Sequence, residues 1–328
     1  MEINMNNKEE QKQTSIGGQA IIEGVMMRGP HKTAMAVRKS DGEIITEVND
    51  NGTKKRAKIW KLPIIRGCIN FVDSLIVGMK ALMFSADQMD LEDEEEETQS
   101  KFDKWLEDKF GDKIKDIVIY VSLALSLVLS IALFIMLPTV ITRGLEWVLG
   151  FTPFAEIAKT KIFTSVCEGV VKMAIFIGYL ALVSQMKDIK RVFEYHGAEH
   201  KTIACYEYGE ELTVENVKKH KRYHPRCGTS FLLFVMIVSI ILFAVLPRTE
   251  SLIIRMGLRL LLLPLVAGIS YELIKWAGRS KKSCVQWLSK PGLWLQKLTT
   301  REPDDKQIEV AIVSMKAVIP ENSEDDKW

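Results

Sequence analysis

At 328 residues the chain exceeds the usual length of one domain, and 44 Lys and Arg against 42 Asp and Glu leave it nearly neutral. That balance gives no reason to expect nucleic acid as a partner, which calls for a strongly basic face. The five cysteines, Cys68, Cys167, Cys205, Cys227 and Cys284, are an odd number without regular spacing, which argues against a disulfide framework and for a reducing cytosol.

Residues 1–16 are polar, carry no apolar core of signal-peptide length and are expected to be disordered. Residues 17–61 alternate short apolar runs with Gly, Asn and Asp. The turn Ser40-Asp41-Gly42 between AMAVRK and EIITEV predicts a β-hairpin, and with it a small β-rich cytoplasmic unit. Residues 62–86 are moderately apolar but interrupted by Arg66, Asp73 and Lys80, which suits a helix at the membrane interface or packed on a bundle. A fifth crossing here would upset the sidedness derived below. Residues 87–116 begin with seven acidic residues among the eight from Asp90 to Glu97, a solvated linker, and continue into an amphipathic stretch at 102–110.

Four spans follow. Residues 117–141 are 25 positions without a charge, longer at about 1.5 Å per residue than a hydrocarbon core of roughly 30 Å. Residues 229–246 are also uncharged and are closed by Pro247. Residues 162–186 carry Glu168 and Lys172, and residues 252–276 carry Arg255, Arg259 and Glu272. An unpaired Arg or Lys near a helix centre costs about 2.5–3.5 kcal/mol, so these charges should lie near an end or face a partner. The fold class expected is mainly α, a multi-pass membrane helix bundle with the β-rich unit attached.

Between the second and third spans, residues 187–228 carry Lys187, Lys190, Arg191, Lys201, Lys218, Lys219, Lys221, Arg222 and Arg226, which places this histidine-bearing loop and both termini in the cytoplasm of a bacterial inner-membrane protein. Spans two and four then both run inward, with Glu168 and Arg259 at similar depth. An ion pair between them is expected, with Lys172 and Arg255 one turn away; snorkelling to the outer surface is the alternative. In the C-terminal region, 277–328, PGLWLQKL from Pro291 suits the membrane surface through Trp294. Residues 307–318 suit a helix before an acidic, disordered end.

The sharpest chemical signal is His196-Gly197-Ala198-Glu199-His200. Two histidines four apart share one helix face and can converge on one divalent metal, zinc among the candidates. Glu199 beside them can act as general base toward a water acidified by that metal. His220 in the run Lys218-Lys219-His220-Lys221-Arg222 reads as a solvated face or a contact to anionic lipid. His224 and Cys227, just before the third span, would close the site as a structural one. Glu272, near the inner end of span four, would instead complete an open, catalytic one. The sequence leaves both open.

Four motifs in one order, GGQAIIEGVMMRGP (17–30), EYHGAEHKTIACYE (194–207), HPRCGTSF (224–231) and PGLWLQKLTTREPDD (291–305), give the chain its resemblance to the YqhQ-like bacterial membrane proteins. That family is a domain of unknown function described as predicted metal-dependent enzymes. The resemblance covers nearly all of the chain and implies a metal site at His196, Glu199 and His200 but no substrate. It directs attention to Glu23, Arg28 and His31, and to Arg301, Glu302, Asp304 and Asp305. The glycines of the first motif would let it fold back onto the histidine segment, bringing Glu23 close enough to bind or orient the site.

Two functions compete. One is a metal-dependent hydrolase acting on a lipid-linked or membrane-peptide substrate. The other is a non-catalytic scaffold or biogenesis factor binding the lipid bilayer or other membrane proteins, favoured by the intramembrane Glu168, Lys172, Arg255 and Arg259.

Overall fold

The computed structural model describes residues 12–52, 62–89, 113–152, 160–245, 252–280 and 283–326. The acidic run and the amphipathic stretch at 102–110 lie outside these residues, as does Pro247.

Strands β1 (Gly17–Ile21), β2 (Gly24–Arg28), β3 (Lys32–Arg38) and β4 (Ile44–Asp50) form an antiparallel meander in chain order. The hairpin anticipated at Ser40-Asp41-Gly42 joins β3 to β4, with Gly42 at φ 93 supplying the left-handed turn residue. Alternation sends successive side chains to opposite faces. On one face Val25, Met27, Ala34 and Ala36 join a core with Tyr195, Ala198, Ile203, Ile308, Ala311 and Met315. On the other, Ile21, Met26, Met35 and Val37 pack with Ala81, Val77 and Phe84.

Among the described residues ten α-helices follow: α1 (Ile65–Asp87), α2 (Lys113–Ile131), α3 (Leu137–Leu149), α4 (Lys161–Val183), α5 (Lys187–Glu207), α6 (Val214–Lys219), α7 (Gly228–Val245), α8 (Leu252–Arg279), α9 (Ser283–Thr299) and α10 (Asp305–Val318). A π-helical turn, Ala132–Met136, carries α2 into α3 just before Pro138. Among the described residues five stretches are long and apolar enough to cross a membrane: Ile65–Asp87, Ala124–Leu149, Phe163–Val183, Gly228–Val245 and Gly257–Ala277. The chain is a multi-pass membrane protein, and its large apolar side chains stay exposed along these helices, among them Leu127, Val170, Ile241 and Leu261. Where the sequence reading counted four spans, α1 makes a fifth candidate, because its charges find partners. Arg66 is paired with Glu272 and Asp73 with Arg28. The first span also runs further than expected, since the helix continues through Arg143 to Leu149.

The chain divides into two compact units. One holds residues 1–89, 181–235 and 264–328; the other holds 90–180 and 236–263. Within the second, Glu168 Oε1 lies 2.9 Å from Arg259 and 3.0 Å from Lys172, with Thr139 Oγ1 at 3.4 Å. Glu168 therefore keeps its charge compensated inside an apolar helix. The side chain of Arg255 lies outside the described residues.

In the first unit the segments at 12–16 and up to Asp326 meet through polar side chains. Thr14 is buried and donates to Asp326, which also accepts from Tyr206 and pairs with Lys12. Residues 12–16 and the acidic end through Asp326 are thus fixed by polar contacts, a form of order that hydropathy does not register.

Candidate metal centre

Helix α5 is buried at Tyr195 and from Gly197 to Thr202, with His196 half-buried, because the sheet and α10 pack on it. Gly197 makes this possible: a Cβ there would stand 2.0 Å from the Arg301 carbonyl oxygen. The chain after α9 therefore runs directly against the helix, and Arg301 N–H donates to Phe193 O at 2.8 Å.

On the facing side His196 and His200 lie one above the other with ring centroids 4.4 Å apart. His196 Nδ1 is 2.7 Å from Thr299 O, and His200 Nδ1 is 2.6 Å from Arg222 O. A carbonyl accepts only, so each Nδ1 carries a proton and each Nε2 is the atom that can give an electron pair to a metal once its own proton is displaced. Both Nε2 atoms meet the thiol of Cys227, which is 3.2 Å from His196 Nε2, and the three donor atoms lie within 4.8 Å of one another. Cys227 sits just before α7, where Thr229 N–H also points at its sulfur from 3.4 Å.

The electrostatics suit thiolate chemistry. Burial opposes ionisation of Cys227, yet His200 and His196 beside it hold its pKa well below the usual thiol value. Burial likewise opposes a charged His200, but Cys227 and Glu199 push it up to about 9. Glu199 Oε2 stands 3.8 Å from His196 Nε2 and 3.7 Å from His200 Nε2, itself buried. Two imidazoles with fixed tautomers, one acidic thiol and an adjacent carboxylate form a donor set that fits a divalent metal of zinc type, with three protein ligands and one position left over.

The remaining candidates fall around this group. The His224 ring is 5.6 Å from His200, but its Nε2 faces Glu207 at 3.5 Å, inside a buried cluster that Arg226 completes. Burial, and to a lesser degree His200 and Arg226, hold its pKa below the usual histidine value. Glu272 gives both carboxylate oxygens to Arg66 and does not belong to the three-donor group. The segment carrying His224 and Cys227 is held by Gln296, which donates to His224 O at 2.7 Å and accepts from His224 N–H at 2.8 Å.

The first motif folds onto α5. A Cβ at Gly18 would stand 2.7 Å from Glu199 Cγ, so the strand comes close to the general-base candidate. Glu23, at φ 49, binds Arg191 and Tyr195 on α5. It positions the helix and leaves the donor group to others. The last motif acts alike: Glu302 pairs with Lys201, Asp304 caps α10, and Asp305 lies 2.5 Å from Lys218. Sequence reasoning missed Glu207, Gln296 and Thr299. Glu207 is a buried polar side chain in a motif whose histidines drew the attention, Gln296 is a buried polar side chain within an apolar-flanked stretch, and Thr299 acts through its backbone, which carries no residue signature.

Changing Gly197 to Ala is expected to push the 299–303 segment away from α5 and loosen the His196 tautomer lock. Zinc affinity should fall by about 10–100-fold, the cost of losing such outer contacts, in a competition titration against a chelating dye.

The family described as protein of unknown function (DUF1385) matches residues 62–321. The uncharacterized protein YqhQ of Bacillus subtilis (strain 168) is 36% identical over 309 residues, covering 92% of each chain. No solved structure matches.

Proposed function

We propose that this chain, which belongs to the DUF1385 family, is a metal-dependent hydrolase of the bacterial inner membrane that acts on a membrane-associated substrate. The observation that carries the reading is the convergence of two tautomer-locked Nε2 atoms and the Cys227 sulfur beside the buried carboxylate of Glu199. His196, His200 and Cys227 would hold the ion. When bound, it would polarise the substrate and acidify water. Glu199 takes the proton of the attacking water and returns it to the leaving group. Gly18 lies against the buried carboxylate, which keeps bulk water from competing for it.

One apolar core unites the sheet, α5 and α10, and no bilayer can divide it. This supports an even number of crossings on either side of α5: Ala124–Leu149 and Phe163–Val183 before it, Gly228–Val245 and Gly257–Ala277 after. Four crossings result, with both chain ends on the side of the metal centre. Helix α1 then stays on that side, packed on the sheet by Val77, Ala81 and Phe84 and presenting Val72, Ile76, Met79 and Met83 to lipid. The basic residues from Lys187 to Arg226 support the cytoplasm as that side. A lipid-linked or membrane-peptide substrate fits a centre so close to the start of α7.

The Glu168, Lys172 and Arg259 cluster favours a second reading, a non-catalytic scaffold that binds lipids or membrane proteins. Metal content separates the two. Elemental mass spectrometry of detergent-purified protein is expected to find stoichiometric zinc, manganese or iron in the wild type and its loss in a His196→Ala, His200→Ala double variant. Equal content in both, or none after reconstitution, would remove the hydrolase.

A further inference from the structure

A second set of donors meets at the far end of α5. Cys205, Glu210 and His220 offer ligand atoms that all lie within 4.8 Å of one another. We infer that they form a second, structural site for a divalent transition metal of zinc type, clipping the end of α5 to the segment that follows α6.

The three residues come from three places. Cys205 is on the last turns of α5 and fully buried, and its thiol hydrogen-bonds only weakly, to the backbone carbonyls Glu211 O at 3.6 Å and Glu210 O at 4.0 Å. Glu210 follows Gly209, whose φ of 70 turns the chain back toward the helix it has just left. His220 follows α6, and the ring of Tyr208 packs on its imidazole with centroids 5.1 Å apart.

The second observation is the state of His220. Its side chain is only 10% exposed, and its Nε2 is buried without a hydrogen bond. Glu210 Oε2 lies 3.3 Å away but is not aligned to accept one. A buried polar atom left unbonded costs about 1–3 kcal/mol, so such an atom aimed at a thiol and a carboxylate calls for a ligand. Sulfur, imidazole nitrogen and carboxylate oxygen together suit zinc better than calcium or magnesium. The half-exposed Glu210 leaves the ion a route in from solvent.

The clip has a use. The segment that begins at His220 supplies Arg222 O to His200 and ends at Cys227. An ion fixing His220 against Cys205 would set the position of that whole segment, and with it the third ligand of the first centre. The site does not depend on the hydrolase reading.

Metal content of the full-length protein in detergent, reconstituted with zinc and dialysed against a weak chelator, tests it. Wild type is expected to keep two equivalents. A Cys205→Ser, His220→Ala variant should lose one, and the His196→Ala, His200→Ala variant should lose the other. Glu210→Ala, at an exposed position that leaves the fold undisturbed, should release the same equivalent as the Cys205 and His220 changes. Wild-type content in both of these variants, or a single equivalent that vanishes only with His196 and His200, overturns the second site. A single equivalent that vanishes only with Cys205 and His220 sustains it and overturns the first centre instead.

Discussion

A Glu199→Gln variant is expected to keep its metal and lose its hydrolytic turnover by about 10²–10⁴-fold, the range contributed by a positioned general base. The amide matches the carboxylate in size, which matters because Gly18 leaves no room for anything larger: a Cβ on that strand would already stand 2.7 Å from Glu199 Cγ. His196, His200 and Cys227 keep their places, since none of the contacts that orient them runs through Glu199. The measurement is paired, metal equivalents by elemental mass spectrometry and turnover of lipid-linked and membrane-peptide substrates in proteoliposomes. Turnover unchanged with metal retained would free Glu199 of any catalytic part. Metal lost with the substitution would make Glu199 a ligand, and the centre a closed, structural one.

The same centre fixes the pH dependence of metal uptake. With His200 pushed up to about 9 by Cys227 and Glu199, against the effect of burial, the metal-free ring holds a proton throughout the physiological range. Metal must displace that proton, so apparent affinity is expected to weaken by about tenfold for each pH unit below 9.

Much of this was legible in the sequence, and the parts that were not share a cause. The spans follow from length and hydropathy, and the hairpin follows from Ser40-Asp41-Gly42. The pair His196 and His200 follows from helical spacing. Each is a local property of the chain. The partners of Glu272 and Glu207 are not local: Arg66 lies 206 residues from Glu272, and Glu207 reaches back to Thr14 across 193 residues. Spacing says which side chains share a helix face but is silent on which distant residue meets them. Helix α1 shows the same limit. Its composition passes for a span, and its packing on the sheet through Ala81 is a contact that composition does not register.

Replacing Arg226 by Ala is expected to destabilise the protein by about 3–5 kcal/mol, the cost of leaving one half of a buried ion pair behind. Glu207 is 2% exposed and is held by Arg226, by His224 at 3.5 Å and by the Thr14 N–H at 2.9 Å. Arg226 also donates to Thr14 O at 2.8 Å, so its loss removes one of the ties between the N-terminal segment and this cluster. Burial raises the Glu207 pKa, but His224 and Arg226 outweigh it and hold the group below its ordinary 4.5. A depressed carboxylate contributes stability that is complete above the unfolded pKa and is lost as pH falls through the folded one. Wild type should therefore lose melting temperature below about pH 4.5, whereas Arg226→Ala, which no longer has the ion pair to lose, should show a shallower fall over the same range. Thermal unfolding in mild detergent across that range reads both effects. The companion Glu207→Gln, Arg226→Met removes both charges and keeps an acceptor for Thr14, so it should recover most of the lost stability. An Arg226→Ala protein as stable as wild type at neutral pH would show that the pair contributes nothing to the fold. A companion variant no better than Arg226→Ala would show that Arg226 acts through Thr14 and not through the charge of Glu207.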